Sequence, residues 1–194
     1  GVDIGTRASI YALLREIAAS GVAVVVISSD FEELLGLCDR VVVVSDGMTI
    51  ADLPASLLDE EKLTLLAAPR TSTARNTDFL KQLTHDYGGT GIWALLEQDE
   101  VICLGTAQAT GALETGLQPG RASTIEATQI PAALQQRAPH FVTEAAGDRA
   151  TLLLPMRSRR GNDLGWIGLT LPANADLPPP ERIAARVAAL HAAD

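Results

Sequence analysis

The sequence predicts an α/β unit over residues 1–69 followed by an α+β domain over residues 76–194, and three observations carry this reading. Residues 22–27 (VAVVVI) and 40–44 (RVVVV) are runs rich in β-branched residues, separated by a helical pattern. That is how strands read when a parallel sheet is covered on both faces. After residue 76 the chain changes to pairs of strands joined by short turns, the mark of an antiparallel sheet with helices on one face. Charge changes at the same place, with four basic against eleven acidic residues up to Pro69 and eleven against thirteen beyond it.

In the first helix Ile10, Leu13, Leu14, Ile17 and Ala18 follow the i, i+3, i+4, i+7 rhythm, with Thr6 placed to cap it and Gly21 at its left-handed end. The strand over 22–27 then runs into Ser28, Ser29 and Asp30. Asp30, with Glu33 three residues later, reads as a capping-box-like start, after which Phe31, Leu34, Leu35 and Cys38 form one apolar face. Residues 40–44 make a second strand, Ser45-Asp46-Gly47 a tight turn, residues 48–53 a returning strand and residues 59–68 a closing helix. Residues 70–75, behind Pro69, are polar and read as a linker. Asn76 is placed to cap a helix ending near Tyr87, which Gly88, Gly89 and Gly91 break. Strands are expected over 92–97, 101–107, 140–142, 150–156 and 165–171, and helices over 128–137 and 180–192.

The formal net charge of -9 argues against a nucleic-acid partner, because no basic stripe is available to neutralise phosphates. Cys38 and Cys103 lie far apart, one in each segment, which suits a reduced setting better than a disulfide framework or metal spacing. No apolar run reaches membrane-spanning length. The chain starts at Gly1 without Met, so a fragment of a longer polypeptide is expected.

The stretch GVDIGTRASIYALLREIAASGVAVVVISSDFEELLGLCDRVVVVSDG resembles the last part of an ATP-binding-cassette (ABC) ATPase. The branch is the one that energises bacterial import of ribose, xylose, galactose and similar sugars. The resemblance implies a partial parallel-sheet unit in which Asp3 belongs to the D-loop and Ser29 stands where the family carries its switch histidine. No histidine precedes His85, and a serine lacks imidazole's hydrogen bond and proton handling beside a phosphate, so the switch reads as degenerate. Read from the residues alone, Ser28 and Ser29 satisfy backbone groups where a strand meets a helix. A P-loop needs a lysine behind a glycine loop, and neither Lys62 nor Lys81 has that context. ATP and magnesium are therefore expected in the parent protein only, with no cofactor in this chain. The implied partners are an importer permease and a second ATPase domain, at the cytoplasmic face of the cell membrane.

Residues 76–194, with GGTGIWALLEQDEVICLGTAQ, then IPAALQQRAPHFV and ATLLLPMRSRRGNDLGWIGLTLP, resemble a GAF domain, a small sensory fold. Trp93, Cys103 and His140 are the candidate sensor-pocket residues. For each the plainer role is core filler, or a partly solvated strand residue in the case of His140. No nucleophile with a base is apparent, so no catalytic residue and no metal site are assigned. The expectation is a fragment of an importer ATP-binding subunit carrying a GAF-like regulatory module that binds a small molecule. The alternatives are a free-standing GAF-like sensor without enzymatic activity and a scaffold that binds no small molecule.

Overall fold

The structure is a computed structural model and describes residues 4–45, 47–67, 70–97, 100–124, 140–143, 147–157 and 163–190. It opens with α1 (Ile4–Ala19), and the chain leaves this helix through Gly21, as expected. That residue takes φ +91°, a conformation that glycine reaches at no steric cost. Helix α2 (Phe31–Leu37) starts at Asp30, whose carboxylate accepts from the Glu33 N–H. Strands β1 (Arg40–Ser45) and β2 (Met48–Pro54) form an antiparallel hairpin, and a 3-10 turn at Ala55–Leu57 leads to α3 (Glu60–Leu66), capped by Asp59.

Two expectations fail in this first segment. Residues 22–27 form no strand, and Val25 and Ile27 are 85% and 95% exposed. Every pairing among the described residues is antiparallel, so the expected parallel pairing is not formed there either. The reason is common to both. A strand exists through hydrogen bonds to a neighbour, and an apolar β-branched run without one stays unpaired whatever its propensity. Strand β1 correspondingly buries Val41 and Val43 on one side only, leaving Val42 and Val44 exposed.

The expected linker over 70–75 is helical as well. Helix α4 runs unbroken over Arg70–Tyr87, so Asn76 is an interior residue and not a cap, and it is 4% exposed. The stretch has no glycine or proline after Pro69, and each added residue of a helix already nucleated downstream gains a hydrogen bond for little entropy.

The second segment is a six-stranded antiparallel sheet in the order β5-β4-β3-β8-β7-β6. Its strands are β3 (Thr90–Glu97), β4 (Glu100–Gln108), β5 (Ala122–Thr124), β6 (His140–Thr143), β7 (Arg149–Arg157) and β8 (Asp163–Pro172). Helix α5 (Pro180–Leu190) closes the described chain. The helix expected over 128–137 lies outside the described residues, and the short β5 is an addition that the sequence did not suggest. This is the α+β arrangement expected, an antiparallel sheet with α4 and α5 on one face.

Cross-strand partners share a face, so the ladder assigns each residue a side. A Cβ on Gly91 would meet Thr84 at 3.2 Å and Leu80 at 3.3 Å, which turns the Gly91, Trp93 and Leu95 side toward α4. Phe79, Leu80 and Leu83 of α4 and Ile183 and Val187 of α5 pack there against Trp93, Leu152, Ile167 and Leu169. On the same side Leu95 pairs with Ile102, and these two belong to a second cluster with Val41, Val43, Ala51, Leu53, Leu63 and Leu66. The hairpin and α3 of the first segment are thus packed into the core of the second. Both tryptophans lie beyond residue 76. Leu63→Ala, at 1% exposure, should cost about 2–5 kcal/mol and move the denaturation midpoint followed by tryptophan fluorescence. A fluorescence transition left in place would show that the two segments unfold independently.

Candidate functional site

The first candidate site is the segment entering α2. The Ser28 hydroxyl accepts from the Asp30 N–H at 3.1 Å and donates to Glu33 Oε2, while Tyr11 OH donates to Glu33 Oε1 at 2.8 Å. Arg7 Nη1 reaches Asp30 Oδ2 at 3.3 Å, and Arg15 donates to the Gly36 carbonyl. Helix α1 is therefore tied to α2 by polar contacts, with Ile10, Leu13 and Ile17 left exposed. Hydrogen bonds from Ser28 and then Tyr11 hold the Glu33 carboxyl below its ordinary value, and the same Tyr11 bond pushes the phenol up. Ser29, the residue at the switch position, is exposed at the bend. Ser28 is the hydroxyl that organises the loop, as the backbone-satisfying role of these serines anticipates. Asp3 lies outside the described residues.

The second candidate site is the sheet face turned away from α4 and α5. The ladder sets Cys103, Ala94, Trp166 and Pro155 in one row, and Ile92, Gly168, Leu153 and the strand position of His140 in the next. Trp93 is elsewhere. It is 3% exposed on the helix side, where its indole N–H donates to the Leu164 carbonyl at 2.8 Å. Of the tryptophans, Trp166 is the one that shares the Cys103 face. A β-bulge at Leu104 separates these sides: Gly105 pairs with Trp93, yet Cys103 pairs with Ala94.

Sequence reasoning missed a row of threonines on that face. Thr90 pairs with Thr170 and Thr170 with Thr151, all buried, and the Thr151 and Thr170 hydroxyls are 3.0 Å apart. Thr90 donates to the Leu113 carbonyl at 2.7 Å and Arg149 to the Glu114 carbonyl at 3.0 Å, and these bonds bring the loop after β4 across this end of the sheet. The available signal was one threonine at an alternate position in each of three apolar strands.

Where the segments meet, a cavity of about 230 Å³ is lined by Asp59, Glu61, Lys62, Leu95, Glu97 and Trp166, among others. Lys62 Nζ lies 2.8 Å from Asp59 and 2.6 Å from Glu97 and so ties α3 to β3. Burial pulls the Lys62 ammonium down, but its bonds to the two carboxylates outweigh that and leave it raised. The other lysine, Lys81, lies 3.0 Å from Asp78 on α4. Neither lysine stands behind a glycine loop. Among the described residues no cluster of His, Cys, Asp or Glu suits a metal ion, and no helix is long and apolar enough to cross a membrane.

No protein-family model matches the chain. Over 71 residues, 37% of the chain, it is 42% identical to the arabinose import ATP-binding protein AraG of Pseudomonas savastanoi. Over 72 residues it is 44% identical to the ribose import ATP-binding protein RbsA 2 of Streptomyces avermitilis. The chain spans 14% of the length of each of these relatives. Among solved structures, the second GAF domain of DevS from Mycobacterium smegmatis aligns with a TM-score of 0.47 at 17% identity, over 65% of this chain and 92% of that one. The Agrobacterium tumefaciens repressor BlcR aligns with a TM-score of 0.46 at 11% identity, over 98% of this chain and 95% of that one. Likenesses at these scores carry no functional argument.

Burial pushes the Cys103 thiol up to about 11, whereas Cys38 is only half-buried. In the native protein at pH 8 a thiol reagent should therefore modify Cys38 and leave Cys103 untouched until denaturant is added, as mass spectrometry of the labelled peptides would show. The depressed Glu33 carboxyl stabilises the fold above its ordinary value of 4.5, and that contribution is lost as pH falls through the lower folded value. As pH falls below 4.5 the start of α2 should progressively loosen, and Glu33→Gln should remove this acid step from the amide NMR signals of residues 31–37.

Proposed function

We propose that this chain is the carboxyl-terminal portion of the ATP-binding subunit of a bacterial sugar importer, extended by a GAF-like module that regulates it. The observation that carries the reading is the identity of 42% and 44% to arabinose and ribose import ATP-binding proteins over 71 and 72 residues. The surface of the first segment supports it. Ile10, Leu13, Val25, Ile27, Val42 and Val44 are large apolar side chains left in solvent. An exposed set of this extent marks a surface that another body covers. In this reading the cover is the rest of the cassette, and the run over 22–27 becomes a strand once a neighbour supplies its hydrogen bonds. The permease and the second ATPase domain are partners of that parent, which sits at the cytoplasmic face of the membrane. ATP and magnesium bind there and not in this chain, whose lysines are engaged by carboxylates. The module's ligand acts by linkage: it biases the ATPase only by the difference in its affinity for the two arrangements.

A second reading, a free-standing GAF-like sensor without enzymatic activity, is favoured by one observation. The hairpin and α3 share the sheet's core and do not form a separate body. The coding sequence immediately before Gly1 decides between the two. A GxxxxGK[S/T] motif at the end of a strand is expected, and its absence removes the importer reading. The chain alone should show no ATP turnover above background, while a polypeptide including the preceding portion should hydrolyse ATP.

A further inference from the structure

The two candidate sites meet on one pair of strands. Ala94 and Cys103 face the threonine side of the sheet, and their chain neighbours Leu95 and Ile102 face the opposite side, in the cluster shared with the hairpin and α3. Phe31, Leu34 and Leu35 of α2 pack on that same cluster. Helix α2 has seven residues, none of them fully buried, so its docking there is the weakest element of the arrangement. The bend that leads into it carries Ser28, Ser29 and Asp30.

We propose that α2, and with it the Ser28–Asp30 segment, is held by a docking equilibrium set by the β3–β4 strand pair, which makes that pair the route by which the sheet face acts on the switch segment. This rests on the importer reading only for what the switch segment does; the mechanical link stands on the contacts themselves. The hairpin is fastened to the sheet by more than apolar packing. Asp52 N–H donates to the Gly120 carbonyl at 2.9 Å, and the Asp52 carboxylate takes Arg121 at 2.7 Å together with Arg40 of its own hairpin. A Cβ on Gly120 would lie 2.1 Å from the Ile50 carbonyl oxygen, so the turn before β5 meets β2 without room for a side chain. Gly120 N–H donates to the Cys103 carbonyl at 2.7 Å and Cys103 N–H to the Arg121 carbonyl at 3.0 Å, so a shift of β4 is passed through this turn to β2, and through the shared cluster to α2. The two states are α2 docked and α2 released, which gives the coupling an element that can be biased.

Amide exchange measured by NMR on the full chain tests this. Ile102→Ala should raise exchange at Leu34 to Cys38 by about tenfold or more, and Ile102→Val should restore most of the protection. Val187→Ala removes apolar bulk from the helix-side cluster instead and should leave α2 exchange unchanged. If Ile102→Ala does not fold, Asp52→Asn asks the same question at the fastening and should raise α2 exchange in the same direction. Equal changes in α2 for Ile102→Ala and Val187→Ala, or no change for Ile102→Ala and Asp52→Asn, would overturn the proposal. The readout needs neither nucleotide nor permease, so an upstream sequence without a P-loop would remove the importer reading and leave this result standing.

Discussion

The constraint on which this molecule depends is the burial of one hydrophobic cluster by two segments that differ in pattern and charge. Leu53, Leu63 and Leu66 from the first segment and Leu95 and Ile102 from the second lose solvent only together. A two-stranded hairpin with short helices is marginal in water when alone. It is stable here because a large sheet supplies its missing layer, and the sheet in turn gains cover for the end that α4 and α5 leave open.

That sharing explains why the polar contacts fall where they do. Lys62, with Asp59 and Glu97, and Asp52, with Arg40 and Arg121, lie at the margin of the cluster. Partly exposed pairs of this kind contribute little energy singly, but they fix orientation, which apolar packing by itself leaves loose. Hydrogen bonding from Arg40 holds the Asp52 carboxyl below its ordinary value. The outer side of the first segment has the opposite character. Helix α1 touches α2 through side-chain polar groups and turns its apolar stripe outward.

Several expectations drawn from the sequence failed through one kind of error, the treatment of pairing and burial as properties of a single stretch. The run over 22–27 has every local mark of a strand and no partner. Residues 70–75 have the composition of a linker and continue a helix that is anchored by Leu80 and Leu83 further along. Trp93 and Trp166 look equivalent in sequence, yet the β8–β3–β4 register sends one toward the helices and the other to the Cys103 face. The bulge at Leu104 reverses the alternation in β4, and no local pattern announces it.

Legible along the chain were the antiparallel character of the second part, the Asp30 cap, the Gly21 helix end and the similarity to sugar-importer ATP-binding proteins. These are local or one-dimensional properties: periodicity, capping chemistry, backbone freedom at glycine and residue identity along an alignment. Folding in three dimensions settled the rest: that the parts share a core, which face each sheet residue takes, that a row of threonines lines the side away from the helices, and that Ser28 and not Ser29 organises the bend. Each of these depends on which distant residues lie alongside, and partner choice follows from the simultaneous burial of apolar surface over the whole chain, a quantity no single window of sequence contains.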